Sequence, residues 1–334
     1  MKPNALSRKL KNLNNDELDE LAKEFQLKTK PMRHQLKSIC AGLLSRRWLF
    51  AVDMGLGKTK IILDIITLRK QAGEIKKTII ICPPGVVLNH WQAETEKHSD
   101  LSCDLVLTGT AEEKENKFYK SDADLLVVSS SWITTFLHKK YKSGDTKNLV
   151  AAIKKYNCLV IDEAHLFKNA LGVGFSMLRI FMRDLYYIYQ LTGTPFGNDC
   201  VGIWPIYYLL DGGETFGRNY TNFLRRWFDS SLINNRYYKY KIKKSVIDLF
   251  VERLWSRAIR FEETECHDLP EKIYIPYKVA LTPEQKLLYN GEVSNISKFV
   301  GCGANQNKSR DLSALMRITG GCKTKTKHLS LIHI

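Results

Sequence analysis

An apolar run that breaks into a glycine turn and re-forms at once as a helix leaves a chain few folds to choose from. Trp48-Leu49-Phe50-Ala51-Val52 is such a run, and Asp53-Met54-Gly55-Leu56-Gly57-Lys58-Thr59 follows it. Beyond Thr59, the residues Ile61, Ile62, Ile65, Ile66 and Leu68 recur at helical spacing. The order is buried strand, glycine-rich turn, helix. Gly55 and Gly57 let the backbone N–H groups of the loop, those of Met54 and Leu56 included, close around phosphate oxygens, and the helix N-terminus adds its positive dipole end. Lys58 supplies a point charge for the β- and γ-phosphates of a nucleotide, and the Thr59 hydroxyl suits a magnesium ion. The general G-x-x-x-x-G-K-[ST] pattern opens on glycine, whereas Val52 stands at that position here.

A second string, Asp162-Glu163-Ala164-His165, closes the strand-like run Cys158-Leu159-Val160-Ile161. In parallel α/β sheets ligands gather at the carboxyl ends of strands, so both carboxylates are expected in the crevice that holds Lys58. Asp162 is suited to hold magnesium, directly or through water, and Glu163 to orient and activate an attacking water. His165 has two readings: coupling of the nucleotide site to the next motif, or local capping and packing.

With these residues in view, the chain resembles the ATPases of helicase superfamily two, and within them the Swi/Snf-type DNA translocases, whose phosphate loops often relax the first glycine. Weaker strings agree in order. Pro31-Met32-Arg33-His34-Gln35 looks like the adenine-reading segment, with Gln35 as the base contact. Ile79-Ile80-Ile81-Cys82-Pro83-Pro84, followed by Asn89-His90-Trp91, looks like the first nucleic-acid motif, which implies contacts from Pro83, Pro84 and Trp91. Val127-Val128-Ser129-Ser130-Ser131-Trp132 looks like a further strand contact through Ser129 and Ser130. Leu191-Thr192-Gly193-Thr194-Pro195 resembles the motif that couples hydrolysis to movement, implying that role for Thr192, Gly193 and Thr194.

The resemblance implies a RecA-like P-loop lobe over 31–200, a parallel sheet flanked by helices, preceded by an N-terminal helical segment at 1–30. It implies a helical protrusion and inter-lobe connector over 201–270, then the start of a second RecA-like lobe at 271–334. The remainder after Tyr289 is too short for such a lobe, and the arginines that reach across to the γ-phosphate are not recognisable in it. The expectation is a motor with a truncated second lobe, weak in turnover as the isolated chain, with a separate polypeptide as one possible source of the missing lobe. The implied cofactors are ATP and magnesium, and the implied partner is duplex DNA; backbone tracking alone does not distinguish DNA from RNA. The competing readings are a strand-separating or restriction-type motor of the same superfamily, and a nucleotide-dependent DNA-binding or regulatory protein without turnover.

Charge agrees with a polyanionic partner. The 334 residues carry 51 Lys and Arg against 35 Asp and Glu, a net +16, so phosphate contacts would make binding steeply salt-dependent. Arg236-Tyr237-Tyr238-Lys239-Tyr240-Lys241-Ile242-Lys243-Lys244 interleaves cations with aromatics and suits either a nucleic-acid strip or an amphipathic strand with a solvated basic face. No apolar run approaches the ~20 residues of a membrane span, and the lysine-rich N-terminus has no signal-peptide core, so a cytoplasmic or nuclear location is expected. The eight cysteines include no C-x-x-C pair, which argues against a zinc module.

Strands are expected near Leu49, Ile79, Leu105, Leu125, Leu159 and Ile188 in a βαβ rhythm. The aromatic text from Trp204 through Tyr207, Phe216, Phe223 and Trp227 reads as packing rather than a base-stacking platform. Lys139 to Lys147 reads as an exposed basic loop.

Overall fold

A computed structural model describes residues 14–85, 87–181, 184–193, 200–233 and 237–266. The chain divides into two units, Met1–Pro270 and Glu271–Ile334. Every described residue belongs to the first. The expectations for residues 1–13, for Thr194 and for the start of a second lobe lie outside the described residues.

The strands are β1 (Arg47–Val52), β2 (Thr78–Cys82), β3 (Cys103–Val106), β4 (Leu125–Ser129), β5 (Cys158–Ile161), β6 (Tyr187–Thr192), β7 (Phe228–Ile233), β8 (Tyr237–Ile242) and β9 (Ala258–Phe261). Seven of them form one sheet in the order β3-β4-β2-β5-β6-β1-β9, and every pairing in it is parallel. Strands of this kind are buried on both faces, which is why they read as unbroken apolar runs. Side chains then alternate between two cores. Ile79, Ile81, Leu126, Val128, Leu159, Ile161 and Ile188 enter one; Phe50, Val52, Ile80, Cys82, Val127, Val160, Tyr189 and Leu191 enter the other.

Helices cover both faces. The second core is closed by α2 (Arg33–Leu44), which follows α1 (Asn15–Glu24), by α3 (Lys58–Gln71) and by α4 (Val87–His98). The first is closed by α5 (Ala111–Lys120), α6 (Ser130–Ser143), α7 (Lys147–Ile153), α8 (Val173–Phe181) and α9 (Ile203–Asp211). The basic stretch expected as a loop from Lys139 is helical to Ser143, and α6 stops at Gly144 in the left-handed conformation. Lys140 and Lys142 complement the negative end of the helix dipole there.

After α9 come α10 (Tyr220–Trp227), the antiparallel pair β7–β8 and α11 (Ile247–Leu254). The aromatics of this protrusion are packing residues, as read from the sequence. Trp204, Tyr207, Phe216, Phe223 and Trp227 are all buried, and Trp204 lies 5.6 Å from the Phe175 ring of α8, centroid to centroid. The protrusion is therefore built on the lobe's own core. In β8, Tyr240 turns its edge to Phe228 while Lys239 and Lys241 stay exposed.

One element differs from expectation. Ala258–Phe261, expected within an inter-lobe connector, pairs with β1 over Leu49 to Val52 and completes the lobe's sheet. The chain leaves for the protrusion and returns to the strand that carries the phosphate loop.

Candidate nucleotide site

The strings singled out in the sequence lie at the carboxyl ends of β1, β6 and β5, three neighbours in the sheet. Each occupies the residues immediately beyond an apolar run whose burial fixes where the strand stops. All seven strands run the same way, so the three ends share one edge.

The loop after β1 is held from beneath. Leu56 is buried, while Met54 is 73% exposed. The Leu56 carbonyl accepts from Gln35 Nε2 at 3.2 Å and lies 2.9 Å from His34 Nε2, both on the first turn of α2. Gln35 Oε1 in turn accepts from the Met32 backbone N–H at 2.9 Å. Gly55 (φ 85°) and Gly57 (φ 76°) are both left-handed, and a Cβ on Gly57 would stand 2.4 Å from Gln35 Nε2. Lys58 Nζ donates to the carbonyls of Val52 at 3.0 Å and Asp53 at 3.4 Å. Asp53 is itself anchored: its N–H donates to Phe261 O at 3.1 Å and its Oδ2 accepts from Glu263 N at 3.1 Å.

Asp162 continues the β5–β2 pairing, its N–H donating to Ile81 O at 2.7 Å. Its carboxylate is 8% exposed. Burial raises the Asp162 carboxyl above the usual range and the Glu163 charge adds to this, while the hydrogen bond from Trp91 and the charge of Lys58 pull it back. Glu163 has φ 56° and ψ 61°, the one non-glycine residue with positive φ among those described. That conformation costs about 1–2 kcal/mol and gathers at functional sites. Oε2 of Glu163 lies 3.1 Å from His165 Nδ1, off the line a hydrogen bond requires.

At the end of β6, Thr192 is fully buried, with no hydrogen-bond partner for its hydroxyl among the described residues. Gly193 follows beside the loop; a Cβ there would stand 3.6 Å from both Lys58 Nζ and Met54 Cγ. A larger residue would press on the space around the lysine ammonium. Together these residues fit a magnesium nucleotide. The loop is an open cradle: its chain neighbours aside, no atom of a described residue comes within 4 Å of a Cβ on Gly55, and a cation (Lys58), a hydroxyl (Thr59) and a carboxylate (Asp162) belong to the same strand ends. Among the described residues no cluster of three or more His, Cys, Asp or Glu could hold a metal alone. Magnesium bound through one carboxylate, phosphates and water needs no such cluster.

The expected nucleic-acid residues fare differently. Pro84 is exposed and Pro83 half-buried at the end of β2. Ser129 and Ser130 end β4 and begin α6, where Ser129 Oγ accepts from Trp132 N at 3.2 Å as the helix cap. Trp91 does not face outward. It is fully buried, and its indole N–H donates to Asp162 Oδ2 at 3.1 Å. An indole N–H donates and cannot accept, and here the Asp162 carboxylate receives it.

A family model of the SNF2-related domain matches residues 27–332. The chain belongs to that family. It is a Swi/Snf-type ATPase of helicase superfamily two, and its parallel sheet flanked by helices is the RecA-like lobe of the SNF2 ATPase core. TATA-binding protein-associated factor BTAF1 of Arabidopsis thaliana is 26% identical over 92% of this chain and 15% of its own length. TATA-binding protein-associated factor MOT1 of Saccharomyces cerevisiae is 28% identical over 71% of this chain and 13% of its own. Among solved structures, the Sulfolobus solfataricus SWI2/SNF2 ATPase core in complex with double-stranded DNA superposes with a TM-score of 0.57 at 23% identity, covering 89% of this chain and 59% of that one. The SNF2 chain described here therefore spans a small part of those two factors and over half of that core. No helix among its described residues is long and apolar enough to cross a membrane.

Proposed function

We propose that this chain is the ATP-binding and ATP-hydrolysing motor lobe of a Swi/Snf-like translocase that couples magnesium-ATP hydrolysis to movement on duplex DNA. The observation that carries the reading is the meeting of three separate strings at one sheet edge, with Gly193 against Lys58. Lys58 neutralises the β- and γ-phosphates, while the N–H groups from Met54 to Lys58 receive phosphate oxygens. Gln35, buried with its amide oxygen on the Met32 N–H and its nitrogen on the Leu56 carbonyl, braces the loop, and its second N–H is what it offers an adenine edge. Thr59 and Asp162 would hold magnesium, which when bound would supply charge withdrawal from the phosphates. Glu163 orients the attacking water and accepts its proton, and His165 carries the change in Glu163 toward Thr192 and Gly193. Pro83, Pro84, Ser129 and Ser130, along the same edge, contact the DNA backbone, and the net charge of +16 favours that partner.

The test is phosphate release and nucleotide binding by the purified chain, with duplex DNA, with duplex RNA and with neither, beside Lys58→Ala. Nucleotide binding that needs Lys58, with only weak release that DNA stimulates and Lys58→Ala abolishes, is the expected result for a lobe without the trans-acting arginines. Bound nucleotide that alters DNA affinity without any release would favour a nucleotide-gated binding protein. Failure to bind nucleotide would end the proposal.

A further inference from the structure

Trp91 sits on α4, the helix that follows β2, and its hydrogen bond to Asp162 joins residues 71 apart in sequence. The bond lies between two buried side chains, one fully enclosed and the other 8% exposed. The carboxylate has the greater need, since a buried charge without a donor costs far more than a buried neutral N–H without an acceptor; the indoles of Trp48 and Trp227 are buried with no acceptor among the described residues. The backbone of Asp162 is already fixed by its N–H on Ile81 O, 2.7 Å away. With the main chain held by β2 and Oδ2 held by the indole, the carboxylate has lost its rotation about the last side-chain torsion.

We propose that Trp91 is a positioning residue for Asp162. It fixes the carboxylate so that the oxygen not bound to the indole is presented to magnesium, and it touches neither the metal nor nucleic acid itself. The proposal rests on the reading of Asp162 as the magnesium-side carboxylate. It replaces the nucleic-acid role expected of Trp91 with one inside the nucleotide site. Groups that orient a metal ligand in this way typically change metal affinity about 10–100-fold when removed.

Trp91→Phe keeps an aromatic ring in the core and deletes the N–H together with the rest of the five-membered ring, a packing loss that lowers stability without itself acting on a magnesium midpoint. The experiment titrates magnesium into the full chain with a fluorescent ATP analogue, for wild type, Trp91→Phe, Asp162→Asn and the double variant. The magnesium concentration at half-saturation should rise about tenfold in Trp91→Phe, while analogue affinity without metal stays unchanged. In the Asp162→Asn background Trp91→Phe should add nothing. A shift under about twofold in Trp91→Phe, in a chain where Asp162→Asn shifts the midpoint strongly, would reduce Trp91 to a packing residue. An unchanged midpoint in Asp162→Asn would instead overturn the reading of Asp162, and the proposal with it. Should Trp91→Phe not fold, the Trp91 indole N–H resonance of the wild type decides. It should move in Asp162→Asn and on adding magnesium nucleotide, and a resonance indifferent to both refutes the proposal.

Discussion

Gln35 Nε2 lies 3.2 Å from the carbonyl oxygen of Leu56, so the side chain expected to read a base is also the floor of the phosphate loop. The same nitrogen is what a Cβ on Gly57 would strike, at 2.4 Å. Gly57→Ala therefore meets two separate obstacles, a left-handed backbone and a close neighbour. It should lower the unfolding free energy by about 1–2 kcal/mol and weaken nucleotide binding sharply. Gln35→Ala in the Gly57→Ala background should recover only the steric share. Denaturant unfolding of the two single variants and the double variant, with nucleotide titrations, checks this; full recovery would mean that the backbone conformation costs nothing.

A second relationship ties the loop to the strand that returns from the protrusion. Asp53 Oδ2 accepts from the Glu263 amide at 3.1 Å, across 210 residues of sequence. Asp53→Ala should cost about 1 kcal/mol, the usual net worth of such a bond, while Asp53→Asn keeps an acceptor oxygen and loses less. Nucleotide binding should slow hydrogen exchange at the Glu263 amide in wild type and not in Asp53→Ala. Equal exchange in both proteins would show that the bond transmits nothing.

These two ties mark where the sequence stops being informative. β1, β2, β4 and β5 were legible because each is buried on both faces and reads as an apolar run, and the loop and acidic strings were legible because each sits where such a run ends. β9 carries no comparable local signal. Ala258-Ile259-Arg260-Phe261 is short and interrupted by a charge, and only its register against Leu49 to Val52 makes it a lobe strand. The partner of Trp91 was hidden for the same reason. Nothing near Trp91 in sequence names Asp162, because the bond joins residues 71 apart.

Arg69 offers a stability prediction remote from the nucleotide. It is 6% exposed, and its Nη2 donates to the carbonyls of Gly42 and Leu43 at 2.9 Å and of Ser45 at 3.2 Å, at the C-terminal end of α2. The guanidinium also lies 4.5 Å from the centre of the Tyr187 ring and pairs with Glu74. Helix ends leave carbonyls without intrahelical partners, and Arg69 satisfies those of α2 from α3. Arg69→Ala should destabilise by about 2–3 kcal/mol, because it removes the donor of Leu43 O and leaves Gly42 O and Ser45 O with only the Tyr189 hydroxyl, at 3.1 and 3.4 Å. Arg69→Lys should restore less than half, since an ammonium lacks the planar fork that reaches them together. Unfolding by urea measures both; a loss below about 1 kcal/mol for Arg69→Ala would contradict the capping role.

Asp64 gives a pH dependence with a definite sign. It is fully buried beside Lys60, with Nζ to Oδ2 at 2.7 Å, and the same Nζ donates to Thr29 O at 3.0 Å. Burial pushes the Asp64 carboxyl up to about 6, against the pull of Lys60, whereas in the unfolded chain it titrates near 4. Between those values the native state holds a proton that the unfolded state has released. The contribution of Asp64 to stability is therefore present below about pH 4 and is lost as pH rises to about 6, at up to roughly 1.4 kcal/mol per pH unit. Asp64→Asn removes the titration and keeps the shape. Whatever constant penalty it carries for leaving Lys60 without its carboxylate, its stability relative to wild type should improve by a few kcal/mol from about pH 4 to about pH 7. Urea unfolding of both proteins across that range reads the difference directly, and a difference independent of pH would mean that the Asp64 carboxylate stays charged throughout, held by Lys60 more strongly than burial opposes it.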